Sequence, residues 1–168
     1  MSAPERAGLR VGFLLVVAVL SAAVATWRVL DSDARGAGLA ALVGGIALVG
    51  SQLWARGKLW TFLDVIAYRV YDAAILAAVA WETRNDDPAT AVAALVALAG
   101  GFLASYFVAR GRALGYSIWD STVNRALRCG LLSAALLTGS EGWLWTLAVV
   151  SVLTALVRAS QAFKESRV

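Results

Sequence analysis

An all-helical bundle of six membrane-spanning helices is the fold class this sequence predicts, and three observations predict it. Hydrophobic residues make up 60% of the 168 positions against 15% charged, with a mean hydropathy of +0.73, which is too apolar for an ordinary soluble domain of this length. Six apolar stretches each approach the roughly 20 residues a helix needs to cross the hydrocarbon core. The segments between them alternate, basic on one side and neutral or acidic on the other, as retention of Lys and Arg in cytoplasmic loops requires. No polar stretch is long enough to fold separately, so residues 1–168 are read as a single integral membrane domain.

The first stretch, residues 9–27, follows Arg6, carries Arg10 at its start and closes on Trp27. Its AVA at 23–25 imitates a signal-peptide cleavage site, but the expectation is a retained span. DSDARG, 31–36, then reads as a short polar turn on the outer side, where Asp31 and Asp33 balance Arg28 and Arg35. The second stretch, 38–54, ends ahead of Arg56 and Lys58; its Gly44 and Gly45, like Gly100 and Gly101 later, suit close helix packing. The third, 60–81, embeds Asp64, Arg69 and Asp72 and leads into the acidic loop WETRNDDP. The fourth, 90–109, is followed by Arg110 and Arg112. The fifth, 118–139, carries Arg125 and Arg128 in its first turns, where they must snorkel or bind something. The sixth, 143–157, precedes Arg158, Lys164 and Arg167. Tryptophans at or beside the span ends form an interfacial belt, and the basic segments place both termini in the cytoplasm.

Composition also removes whole classes of chemistry. With no histidine, Ser-His-Asp and Cys-His mechanisms and imidazole metal sites are excluded. Cys129 is the single cysteine, so no disulfide framework or thiolate cluster can form within one chain. Any metal must be held by carboxylates. The sequence pI of 9.7 reflects the loop bias, and no nucleic-acid module accompanies it, so membrane lipids rather than nucleic acid are the expected partners.

The charges of the third stretch are its most informative feature, because ionisable groups inside a membrane segment cost several kcal/mol each unless they face protein, water or a partner charge. Asp64, Tyr68 and Asp72 recur every four residues and therefore share one helix face. Asp72 lies about 12 Å deeper than Asp64 at 1.5 Å per residue. Arg69, three residues before Asp72, is its local partner for a structural ion pair. For Asp64 a place on a ligand-binding face and an interfacial capping or hydration role are both open. Arg110, Arg125 and Arg128 read either as topology anchors or as ligands of an anionic head group, since guanidinium binds phosphate bidentately.

That face resembles the third helix of the CDP-alcohol phosphatidyltransferase superfamily, whose pattern is DxxDGxxAR, a short connection, then GxxxDxxxD. SYFVARGRALG at 105–115 is similar in length and register to a stretch like SYARARAEALG in the actinobacterial phosphatidylinositol-phosphate synthase branch, and VNRALRCGLL keeps two arginines at Arg125 and Arg128. The resemblance implies a six-helix fold, helix-mediated dimers, divalent metal, usually magnesium, held by aspartates against a CDP-linked diphosphate, and a last aspartate acting as base. It also implies anion binding by Arg56, Arg110, Arg125 and Arg128.

The catalytic pattern departs from the family's. With Ala55 and Arg56 on the family's AR, Leu48 and Ser51 stand where two aspartates belong and Gln52 where the glycine belongs. Trp60 takes the next glycine position after a shortened connection, Asp64 matches the third aspartate, and Tyr68 replaces the fourth. A phenol with an ordinary pKa of about 10 supplies no carboxylate charge and is a poor base at neutral pH. Asp64 alone is a weak metal ligand set for magnesium, which wants near-octahedral oxygen coordination. Arg112 also stands where the family often has an acid. The expectation is therefore a catalytically degenerate relative with no cofactor, acting in phospholipid biosynthesis as a homodimer or as a heterodimer with an active family member. The alternative is an active transferase that moves a phosphatidyl or related group from a CDP-linked donor to an alcohol with release of CMP, and only that alternative requires magnesium.

Overall fold

The computed structural model describes residues 3–55, 57–118 and 121–166, with side chains from residue 7 onward. Among these residues there are six helices: α1 (Ala3–Leu30), α2 (Ala34–Trp54), α3 (Lys58–Thr83), α4 (Pro88–Ala113), α5 (Thr122–Thr138) and α6 (Glu141–Glu165). The all-helical expectation and the order of elements are met. Four segments are long and apolar enough to cross a membrane: Ala7–Leu30, Ala34–Trp54, Pro88–Ala113 and Glu141–Glu165. The two helices outside this set are α3, which carries embedded charges, and α5, which is 17 residues long.

The ends of the helices follow from their caps. Asp33 begins α2 by accepting from the Gly36 N–H at 2.9 Å, and Arg28 pairs with it at 2.9 Å, so the DSDARG turn is a capping device. Asp87 caps α4 through the Thr90 N–H at 3.1 Å, with Pro88 in the first turn where its missing donor costs nothing. Ser121 caps α5 through the Val123 N–H at 3.1 Å. The chain leaves α5 at Gly139 with φ +63°, the left-handed position that ends many helices. The fifth element therefore begins at Thr122 and not at residue 118, and α6 runs on to Glu165, beyond the apolar stretch that ends at 157.

Packing joins two helix pairs, α1 with α2 and α4 with α6. From α1 the stripe Val11, Leu15, Ala18, Ala22, Ala25 and Val29 is buried at helical spacing. Small residues bring backbones close: a Cβ at Gly100 would lie 2.9 Å from the backbone carbon of Ser151 on α6. Between the pairs stand α3, packed on α1, α2 and α4, and α5, packed on α2 and α6. Among the described residues no Cα of α3 comes within 8 Å of α5. Long side chains fill that gap. Outside the bundle, Phe13, Leu20, Ile46, Phe62 and Leu153 are more than half exposed, a surface suited to lipid.

Candidate functional site

The gap between α3 and α5 holds the charged cluster. Helical spacing aims Asp64, Tyr68 and Asp72 inward from α3, and Arg125 and Arg128, three residues apart on α5, meet them. All five are buried.

At one end Arg125 Nη1 donates to both oxygens of Asp64, at 2.9 Å to Oδ1 and 2.8 Å to Oδ2, and to the Leu48 carbonyl at 3.3 Å. The Ser51 hydroxyl, fully buried on α2, lies 2.5 Å from Asp64 Oδ1 and 2.9 Å from the Leu48 carbonyl. Having one proton, it donates to one of them at a time.

Deeper in the bundle, Arg128 uses each guanidinium nitrogen. Its Nη2 donates to Asp72 Oδ2 at 2.7 Å, its Nε to the Tyr68 hydroxyl at 2.9 Å, and its Nη1 to the Ser151 hydroxyl on α6. Gly101 of α4 makes room for it, since a Cβ there would sit 2.6 Å from Arg128 Nη2. The expected pair of Arg69 and Asp72 is present at 3.6 Å, but the shorter partner of Asp72 is Arg128. Tyr68 joins the two ends: Arg69 and Arg125 each place their guanidinium carbon 4.6 Å from its ring centroid.

Beside the cluster is a cavity of about 40 Å³ bordered by Tyr68, Arg69, Asn124, Arg125, Arg128 and Arg158. Arg69 Nε and Nη1 are enclosed and lack hydrogen-bond partners among the described residues. Arg158 Nη1 donates to the Ala104 carbonyl at 3.1 Å.

Five of the residues singled out by sequence, Asp64, Tyr68, Asp72, Arg125 and Arg128, thus come together, with Arg69 at the margin. Arg110 is exposed on the last turn of α4 and does not border the cavity, while Arg56 lies outside the described residues. Sequence reasoning missed Ser151 as a partner and read Arg158 only as a tail anchor. A signal was available, because Leu144, Leu147, Ala148, Ser151, Ala155 and Arg158 continue one buried stripe of α6 at helical spacing.

These residues do not fit a divalent metal. No group of three or more His, Cys, Asp or Glu side chains converges among the described residues, and both oxygens of Asp64 are engaged by a guanidinium. Leu48 and Ser51, at the positions of two family aspartates, offer a carbonyl and a hydroxyl in place of carboxylates.

No protein-family model matches the sequence, and no curated protein matches it. Two crystal structures of the phosphatidylinositol phosphate synthase PgsA1 of Mycobacterium tuberculosis share its fold. The one with CDP-DAG bound is 18% identical with a TM-score of 0.63, covering 89% of this chain and 86% of that one. The one in complex with manganese and citrate is 19% identical with a TM-score of 0.66, covering 94% and 86%. At this identity the likeness establishes the fold, which is the one the third-helix resemblance implied.

Proposed function

We propose that this chain, whose fold is that of the CDP-alcohol phosphatidyltransferase superfamily, is a catalytically degenerate relative that serves phospholipid biosynthesis as a partner or regulatory subunit. The observation that supports this is the oxygen set around Asp64: it contains one carboxylate, already neutralised by Arg125. Tyr68 at the family's base position accepts a hydrogen bond from Arg128, an arrangement that opposes proton abstraction by its hydroxyl.

On this reading the chain is one multi-pass domain of a prokaryotic cytoplasmic membrane. All six helices cross it, α3 and α5 keep their charges inward, and both termini are cytoplasmic. The chain pairs with itself or with an active family member. What remains of the ancestral chemistry is anion recognition. Among the described residues Arg69, Arg125 and Arg128 face Asp64 and Asp72, and Arg158 borders the same cavity, a guanidinium-rich setting for an anionic head group. By sequence, Arg56 and Arg110 add positive charge nearer the inner mouth.

The deciding assay is CMP release by the purified chain from CDP-diacylglycerol with alcohol acceptors, with and without magnesium or manganese. No release above the protein-free background is expected, together with copurification of the tagged chain with an active relative and a changed head-group composition on deletion. Metal-dependent CMP release would instead establish the active transferase.

A further inference from the structure

The oxygens around Asp64 form a cup, and its occupant is Arg125. One nitrogen, Nη1, meets Asp64 Oδ1 and Oδ2 and the Leu48 carbonyl at 2.8 to 3.3 Å, and the Ser51 hydroxyl closes the cup at 2.5 Å from Oδ1. Three oxygens from α2 and α3 thus accept from a cation that α5 supplies, and the Ser51 hydroxyl links two of them.

We infer that Arg125 is a built-in replacement for a divalent cation, and that the native chain neither binds nor needs a metal ion at this place. The inference rests on the reading that the metal centre is lost, and it adds that the Arg125 guanidinium now links α2 to α3 at that place. Charge is the reason it works. One guanidinium and one carboxylate cancel, whereas a divalent ion added while the guanidinium is in place would bring two uncompensated positive charges beside Arg128 and Arg69 in a buried site. The same logic gives the outcome of removing the guanidinium. In Arg125→Met the carboxylate of Asp64 is unpaired, the cup is open, and an exchangeable cation becomes favourable.

The test uses the purified full chain with manganese alone as probe, followed by the loss of the free-ion paramagnetic resonance signal and by thermal unfolding. The native chain is expected to take up no manganese and to unfold at the same temperature in manganese and in EDTA. Arg125→Met is expected to unfold several degrees lower in EDTA and to recover at least half of that loss with manganese, and Asp64→Asn added to it abolishes the recovery. Should Arg125→Met aggregate in EDTA, preparation in manganese is expected to yield folded protein. Saturable uptake by the native chain that Asp64→Asn removes, or no manganese-dependent gain by Arg125→Met under either preparation, overturns the inference. Metal uptake without CMP release would do so while leaving the non-catalytic reading standing.

Discussion

Among individual residues, Asp72 and Arg128 give the sharpest expectation. Removing one member of a buried pair leaves its partner charged and alone, at a cost of about 3–5 kcal/mol. Asp72→Asn is therefore expected to lower the thermal midpoint strongly, and adding Arg128→Met to recover much of the loss, because neutralising both ends removes the orphaned charge. A strictly additive double variant would show that the two are not coupled. Arg69, with two enclosed donors that lack a hydrogen-bond partner among the described residues, carries a second expectation: inorganic phosphate stabilises the native chain, and Arg69→Gln loses most of that stabilisation. The face formed by Asp64, Tyr68 and Asp72 could be read directly, because a period of four projects side chains onto one side of a helix. Their partners could not. Local spacing offers Arg69 to Asp72, whereas Arg128, 56 positions away, becomes the shorter contact only when α3 and α5 face each other across the bundle. In the sequence Ser51 stands out only as a missing aspartate, and its hydrogen bond within the same site is hidden for the same reason.

Whole helices respond to different perturbations. Gly100 sets the approach of α4 to α6, and the atom a Cβ would meet belongs to the backbone, which cannot rotate away. Gly100→Leu is expected to cost about 1–3 kcal/mol through overpacking, read as a lower thermal midpoint. The start of α4 should respond to pH. The Thr90 hydroxyl first, and the Thr90 N–H second, hold the half-buried Asp87 carboxyl below its ordinary range. A lowered carboxyl pKa contributes stability that is present above the unfolded value and lost as pH falls through the folded value. Comparison with Asp87→Asn, which still caps but cannot titrate, should show a shallower acid-side loss of helix stability for the variant. The number and order of helices were legible in hydropathy and loop charge, but their ends were not. An apolar window reports depth in lipid, while helices end at caps, so α5 starts at Thr122, behind the Ser121 cap, and not at 118.

For the molecule as a whole, charge is sorted by burial. The Arg28 and Asp33 pair is partly exposed and screened by salt, whereas the pairs of Asp64 and Asp72 are enclosed. Raising NaCl from 50 mM to 1 M is expected to move the thermal midpoint by no more than about 2–4 °C, the shift that ~1 kcal/mol produces in a chain of this size. A larger fall would mean that the central pairs are hydrated. The membrane class and the fold could be read from composition and from the third helix; the reliance of the α3–α5 contact on guanidinium length could not, because it depends on how far apart the two backbones settle. That separation also bears on biogenesis. Asp64 and Asp72 are translated 61 and 56 residues ahead of Arg125 and Arg128, a lag of roughly 3–12 s at about 5–20 residues per second. During the lag the guanidinium groups that neutralise Asp64 and Asp72 in the folded bundle have not been made, so on the six-span reading stable partitioning of α3 into the bilayer is expected to depend on the arrival of α5.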